Sequence, residues 1–237
     1  MTAATPIASN QRAVEILVGD HQLNGFLNIP EGAKCIVLFA LRSGRGPYRS
    51  GNQYVASVLQ RAGIATLLLD LLDEQKAGIR SKVFDIELLA HRLKTAAAWV
   101  HEKEQIHSLP LGYFGVSTGA AAALVAAADR GTNVKAIVSR GGRLDLADEA
   151  LPQVSAATLL IVGGGDKPLI ELNHRALARM HCVKELKIIP GATHVFLEPE
   201  FEEAARLASQ WFQRHLVCED TPELAGRSEP VLCSDLL

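Results

Sequence analysis

The sequence predicts an α/β fold, in which a mostly parallel central sheet is covered by helices on both faces. Six short and nearly continuous apolar runs are typical of strands buried on both sides, as in parallel sheets. These runs occupy residues 35–40, 64–69, 111–114, 136–139, 158–162 and 185–189. Segments with helical periodicity lie between them, and this alternation of strand and helix indicates a parallel sheet.

An antiparallel hairpin is predicted at one edge of the sheet. Its strands, residues 14–18 and 23–29, are separated by the turn residues Gly19 and Asp20. Two of the helical segments place their apolar side chains on one face, which we expect to lie in the core. These faces consist of Phe84, Leu88, Leu89, Leu93, Ala96, Ala97 and Val100, and of Phe201, Ala204, Ala205, Ala208, Trp211, Phe212 and Leu216.

The chain length indicates a single domain. A chain of 237 residues is long enough for one sizeable core and short for two. We predict one domain over residues 13–216, an N-terminal arm over 1–12, and a tail over 217–237 that is flexible or draped over the surface. Only residues 140–157 connect two of the late strands, which leaves no room for a cap domain.

The composition favours small-molecule chemistry. A net charge of -2 with 48% hydrophobic and 21% charged residues gives no basic excess for nucleic-acid binding. No leader or membrane-spanning run is visible, so we expect a cytoplasmic protein that does not bind membranes. The four cysteines lack metal-ligand spacing, Cys35 is expected to be a small buried hydrophobe, and we expect neither metal nor cofactor. The oligomeric state is left open.

A Gly-x-Ser-x-Gly motif carries the strongest chemical signal. Residues 115–119 read GVSTG, directly after an apolar run and directly before an alanine-rich stretch. This context predicts a strand, a sharp turn and a helix, with the Ser117 hydroxyl exposed on the turn as a nucleophile. The motif alone is not decisive, because a serine after glycine can simply cap the helix that follows.

An acid and a histidine follow the serine in the order that such a nucleophile needs. Asp166 comes after the glycines at 163–165, and His194 follows a proline-glycine turn after the last strand. Separately, each could be an ordinary turn residue. Together they predict a triad in which His194 takes the proton of Ser117 and Asp166 orients the imidazole. Asp70, at the end of an earlier strand, is the alternative acid.

These motifs resemble the α/β-hydrolase fold, and more narrowly the members of the dienelactone hydrolase family that have a serine nucleophile. The resemblance covers roughly residues 13–216. It is carried by GVSTGAAAALVAAA, GIATLLLDLL, FDIELLAHRL, SRGGRLDLA, LLIVGGGD and IPGATHVF. Relatives of this type are often linked with phosphoribosyltransferases, but no part of this chain resembles a phosphoribosyl-binding domain.

The resemblance also implies an oxyanion hole formed by two backbone N–H groups. One belongs to Thr118, after the nucleophile, and by position the second belongs to Ser43 in the loop after the third strand. Similar hydrolases usually begin that loop with His-Gly, whereas this chain has Leu41-Arg42. We expect Leu41, Arg42 and Arg140 to contact substrate. Together with Arg45, Arg49 and Arg143, these arginines would favour acidic substrates, unless they are solvated loop residues.

The predicted function is therefore hydrolysis of small or short-acyl carboxylic esters or lactones through an acyl-enzyme on Ser117. An uncapped, shallow site suits small substrates better than long acyl chains. The expected partner is a small ester-like molecule. Two alternatives stay open: the same triad could cleave thioesters, amides or carbon-carbon bonds, or Leu41-Arg42 could have impaired the oxyanion hole and left a binding module.

Overall fold

The structure is a computed structural model, and it describes residues 11–41, 48–72, 79–193, 196 and 199–217. The side chains of residues 48 and 49 are not among those described. Eight strands are β1 Arg12–Val18, β2 His21–Asn28, β3 Cys35–Leu41, β4 Ile64–Asp70, β5 Leu111–Val116, β6 Val134–Arg140, β7 Ala157–Gly163 and β8 Lys184–Ile189. The helices are α1 Tyr48–Arg61, α2 Arg80–Val83, α3 Ile86–His101, α4 Thr118–Ala128, α5 Lys167–Arg179 and α6 Glu200–Leu216.

All eight strands form one sheet in the order β1-β2-β4-β3-β5-β6-β7-β8. The β1–β2 and β2–β4 pairs are antiparallel, and every other pair is parallel. The predicted fold class is therefore confirmed, including the N-terminal hairpin at one edge. Each apolar run of the sequence corresponds to one strand, lengthened by one to three residues.

The sheet has a hydrophobic core on each face. In β3, Val37 and Phe39 point into the core shared with α1 and α6, while Ile36 and Leu38 point into the core shared with α3 and α4. Alternate side chains of one strand thus point into two different cores, which explains why β3 is apolar at every position. Cys35 is fully buried, as predicted, and burial raises the pKa of its thiol to about 12.

Two details differ from the sequence expectation. The helical period predicts Phe84 on the buried face, but Phe84 lies before α3 and is 39% exposed, because α3 begins only after its N-cap residue Asp85. Strand β8 is an edge strand with Lys187 and Ile188 exposed, so it is not buried on both faces. The N-terminal arm as far as residue 10, and the tail from residue 218, lie outside the described residues.

The connection between β6 and β7 is short, as the sequence predicts. It contains two single-turn 3-10 helices, Leu144–Ala147 and Leu151–Gln153, and no inserted domain. The carboxyl edge of the sheet is therefore left without a cap at this point. Within the described ranges, no helix combines the length and the hydrophobicity needed to cross a bilayer.

Candidate active site

Ser117 sits on a sharp turn between β5 and α4 and has a strained backbone. Its φ of 53° and ψ of -119° lie in a region that residues with a side chain rarely adopt. Such a conformation costs about 1–3 kcal/mol and persists only where the surroundings hold it in place. The half-buried Ser117 therefore has the geometry of a nucleophile elbow, which lifts the hydroxyl above the end of the strand.

The two glycines of the motif allow this turn to pack against its neighbours. A Cβ on Gly115 would lie 2.4 Å from the Cα of Ala120, and one on Gly119 would lie 2.1 Å from the carbonyl oxygen of Ala40. Both atoms belong to the backbone and cannot rotate away. The motif is glycine-rich because α4 is pressed directly onto β5 and β3.

The loop after β6 holds Ser117 by both of its backbone groups. The Ser117 N–H donates to the carbonyl of Arg140 over 3.3 Å, and the Arg143 N–H donates to the carbonyl of Ser117 over 3.2 Å. We call residues 140–143 the elbow clamp. The clamp is itself tight, since a Cβ on Gly142 would lie 2.2 Å from the hydroxyl of Ser139.

Asp166 lies just after the carboxyl end of β7, two strands away from β5, which leads into Ser117. It is the N-cap residue of α5, and its Oδ1 accepts a hydrogen bond from the Leu169 N–H over 3.1 Å. The side chain is thus held by the helix that it caps. The competing acid, Asp70, ends β4 on the opposite side of β5.

His194 lies outside the described residues, but the chain on both sides of it is described. On one side, the Gly165 N–H donates to the Ala192 carbonyl over 2.8 Å, and a Cβ on Gly163 would lie 2.4 Å from the Thr193 carbonyl. These contacts hold residues 192–193 against the turn that carries Asp166. On the other side, the buried ring of Phe196 lies 5.5 Å from the guanidinium of Arg140 in the elbow clamp.

Arg140 has a buried guanidinium that joins three elements. Its Nη2 donates to Oδ1 of Asn52 in α1 over 2.8 Å, and its Cζ lies 4.9 Å from the ring of Phe201 in α6. The side chain is only 2% exposed, so Arg140 is not a solvated loop arginine. A charged group with aromatic faces and an amide around it supports the packing of β6 against α1 and α6. Its predicted contact with substrate stays a prediction.

Arg143, like Arg140, is not a solvated loop arginine. It forms two hydrogen bonds with the carboxylate of Asp145, at 2.9 and 2.8 Å, and these raise its pKa. The centroid of the Phe84 ring lies 5.8 Å from the guanidinium carbon of Arg143 and 5.6 Å from that of Arg80. This pairing connects the chain before α3 to the elbow clamp.

The predicted oxyanion-hole residues divide between described and undescribed parts of the chain. Thr118 is the first residue of α4, so its N–H is one of the amides that a helix start leaves without an intrahelical partner. Ser43 and Arg42 lie outside the described residues, as does Arg45. Leu41 ends β3, is 5% exposed and packs in the core with α1 and α6, so this placement gives no support to its predicted substrate contact.

Comparison with known proteins identifies the family. The model of the dienelactone hydrolase family matches residues 56–216, which is more than half of the chain. The chain belongs to the dienelactone hydrolase family. A crystal structure of a dienelactone hydrolase from Anabaena variabilis is 51% identical, with a TM-score of 0.82, over 88% of this chain and 99% of that one. The chain accordingly has the α/β-hydrolase fold.

The other relatives of this family member add information on length and fold. A protein of Mycobacterium tuberculosis named "Putative phosphoribosyl transferase" is 51% identical over 204 residues, covering 86% of this chain. Only 46% of that protein is matched, so the chain spans about half the length of the curated relatives it matches. A Xanthomonas campestris α/β serine hydrolase without lid shares the fold, with a TM-score of 0.69 at 18% identity and coverage of 89% and 97%.

Three residues at the site of this dienelactone hydrolase family member were missed from the sequence. Asn52 and Phe84 contact Arg140 and Arg143, and Asn173 contacts the elbow clamp. A single asparagine within a helix, or a phenylalanine between two helices, carries no local signal of such a contact. Only the packing of distant segments brings these side chains to the clamp.

Proposed function

We propose that this dienelactone hydrolase family member hydrolyses small or short-acyl carboxylic esters through an acyl-enzyme on Ser117. The observation that carries the proposal is the strained φ of Ser117 between β5 and α4. A serine that only capped a helix would not need a positive φ, because N-cap residues normally have extended backbone angles. The side chain of Ser117 makes no capping hydrogen bond to α4.

In the proposed reaction, the Ser117 Oγ attacks the ester carbonyl carbon while His194 takes the hydroxyl proton. The resulting oxyanion accepts hydrogen bonds from the N–H groups of Thr118 and Ser43. His194 then protonates the leaving alcohol as the carbon-oxygen bond breaks. Water then attacks the acyl carbon while His194 takes its proton; the bond between that carbon and the Ser117 Oγ breaks, the carboxylic acid leaves, and His194 returns the proton to Oγ.

Several features of the described chain support the assignment of Asp166 and His194. Asp166 and the residues before His194 are joined by the hydrogen bond between Gly165 and Ala192. Phe196, just after His194, packs near Arg140, whose carbonyl accepts from the Ser117 N–H. The described residues before position 194 thus lie beside the turn that carries Asp166, and Phe196 lies near the clamp that holds Ser117.

The start of α4 supports the proposed oxyanion binding. Thr118 begins this helix of 11 residues, and the partial positive charge of a helix N-terminus favours negative charge nearby. A small substrate is favoured because the β6–β7 connection carries only two short 3-10 helices over the carboxyl edge of the sheet.

Labelling with a fluorophosphonate, followed by mass spectrometry, tests the activated serine. We expect a single adduct on Ser117 in the wild-type protein and none in Ser117→Ala or His194→Ala. A panel of p-nitrophenyl esters of increasing acyl length, with matched thioesters and amides, then measures the bond preference. We expect kcat/KM to be highest for short-acyl esters. Folded wild-type protein that forms no adduct would refute the proposal and favour a binding module.

A further inference from the structure

Asn173 is a fully buried asparagine that joins α5 to the elbow clamp. Its Nδ2 donates to the carbonyl of Gly142 over 3.0 Å and to the carbonyl of Leu169 over 2.9 Å. Since both partners are carbonyl oxygens, the amide nitrogen must face them. The bond to Leu169 is local to the helix, whereas the bond to Gly142 spans 31 residues of sequence.

The other side of the amide is left unsatisfied. Asn173 Oδ1 is buried and has no hydrogen-bond partner among the residues that the structure describes. A buried acceptor without a partner costs free energy that an apolar side chain of similar size would not cost. The hydrogen bonds that Nδ2 donates therefore explain why an asparagine stands here. Of these two bonds, the one to Gly142 is the long-range one.

Gly142 lies in the middle of the elbow clamp. The residue two before it, Arg140, accepts the hydrogen bond of Ser117, and the next residue, Arg143, donates to Ser117. The strained φ of 53° at Ser117 persists only if these contacts stay in place. A bond that fixes the Gly142 carbonyl consequently limits how far the elbow can move.

Asn173 also lies in the helix that Asp166 caps. The two residues are seven positions apart, which is about two turns of α5. A single rigid helix therefore carries the predicted triad acid at its start and the contact to the nucleophile elbow two turns later. The link from Asp166 to Ser117 runs through α5, Asn173 and the clamp.

We propose that Asn173 is a positioning residue, which fixes the nucleophile elbow relative to the helix of the triad acid through its hydrogen bond to Gly142. This inference rests on the proposed function, since it concerns the same serine. Displacements of about 1 Å at remote positions can lower turnover by about 100-fold, because catalysis depends on the aligned geometry of nucleophile and base.

The test compares Asn173→Leu, which removes the amide and keeps the volume, with Ala176→Gly in the same helix. Ala176 is buried, and its side chain forms no hydrogen bond to the clamp. Ala176→Gly therefore lowers the stability of the same helix while the hydrogen bond between Asn173 and Gly142 is kept. We expect kcat for p-nitrophenyl acetate to fall by about 10- to 100-fold in Asn173→Leu, with KM changed by less than about twofold. Ala176→Gly should keep the wild-type kcat per labelled site.

Hydrogen exchange supplies a readout that does not depend on activity. The amide of Arg143 should exchange about tenfold faster or more in Asn173→Leu than in Ala176→Gly, since the clamp opens more often without its bond to α5. If Asn173→Leu does not fold, Asn173→Ala replaces it in both measurements.

The outcomes separate the two proposals. Wild-type labelling at Ser117, combined with unchanged kcat and unchanged Arg143 exchange in the Asn173 variant, overturns the positioning role and leaves the serine hydrolase intact. A loss of kcat equal to that of Ala176→Gly also overturns it, because helix stability would then be the cause. Wild-type protein that does not label at Ser117 refutes the proposed function, and the positioning role with it.

Discussion

At the scale of single residues, the site depends on the absence of side chains as much as on their chemistry. The chain can form the elbow only because Gly115 and Gly119 lack a Cβ, which lets α4 pack directly against β5 and β3. The strain at Ser117 is held by backbone hydrogen bonds from both sides, so it does not relax into an ordinary helix start. The conformation of Ser117, the predicted nucleophile, is therefore set by the packing that surrounds it.

Gly119→Ala should disrupt the elbow. The new Cβ would lie 2.1 Å from the Ala40 carbonyl oxygen, so α4 must shift away from β3. We expect a loss of about 1–3 kcal/mol in the free energy of unfolding, and a fall of about 100-fold or more in kcat. Chemical denaturation and initial rates on p-nitrophenyl acetate measure the two effects.

Gly131→Ala is the matched control for this substitution. The nearest atom to a Cβ on Gly131 is a side-chain oxygen of Asp129 at 3.3 Å, in a 3-10 turn away from the elbow. Its stability should change by less than about 1 kcal/mol, and its kcat should equal that of the wild type. A kcat of Gly119→Ala equal to that of the wild type would contradict the inference that a side chain at position 119 cannot be accommodated.

At the scale of secondary-structure elements, two helices begin with the same capping arrangement and differ in where they begin. Asp166 accepts from the Leu169 N–H at the start of α5, and Asp85 accepts from the Leu88 N–H at the start of α3, both over 3.1 Å. Only the start of α5 lies beside the residues that precede His194. The capping role is thus common to both aspartates, and the catalytic role is predicted for one.

Asp166→Asn should separate capping from catalysis. Asparagine caps helices about as well as aspartate, so the free energy of unfolding should change by less than about 1 kcal/mol. The loss of the carboxylate that orients His194 should lower kcat by about 1,000- to 10,000-fold. Asp85→Asn makes the same chemical change at α3 and should leave kcat unaltered. A fall of less than tenfold in Asp166→Asn would assign the acid to another residue, with Asp70 as the first to test.

At the scale of the whole molecule, one histidine couples global stability to pH. His215 in α6 packs against Trp211 in a tilted arrangement, with ring centroids 4.3 Å apart, and its buried Nε2 has no hydrogen-bond partner within the described chain. Burial and the nearby Arg214 lower the pKa of His215 below 6.5, against a smaller opposing effect of Glu185 on β8. A base with a lowered pKa stabilises the fold above its unfolded pKa, and this contribution is lost as the pH falls through the folded pKa.

His215→Phe should reduce the acid sensitivity of the fold. The phenyl ring keeps a partner for Trp211 and cannot be protonated, so the free energy of unfolding should fall less between pH 7 and about pH 5 than in the wild type. Denaturation at several pH values gives the two slopes. His174→Gln, at an exposed position on α5, controls for the loss of an imidazole as such. Identical slopes in His215→Phe and wild type would contradict the assignment.

Much of the fold follows from local patterns along the chain. Continuous apolar runs such as residues 35–40 are typical of interior strands, and their alternation with amphipathic segments favours a parallel sheet. The elbow could be predicted because a glycine-serine-glycine turn between a strand and a helix is itself a local feature. Phe84 was assigned wrongly because its spacing fits the helical period of α3, although Asp85 caps the helix one residue later.

The sequence by itself determined the fold class, the edge hairpin and the missing cap domain, since each depends on neighbours in the chain, and it predicts the nucleophile for the same reason. The tertiary structure alone decided that Arg140 is buried among α1, α6 and aromatic rings, and that Asn173 reaches Gly142. It also decided that the Arg143 guanidinium lies over the ring of Phe84. Such contacts join residues far apart in sequence, and the packing of helices against the sheet, which no local pattern encodes, brings them together.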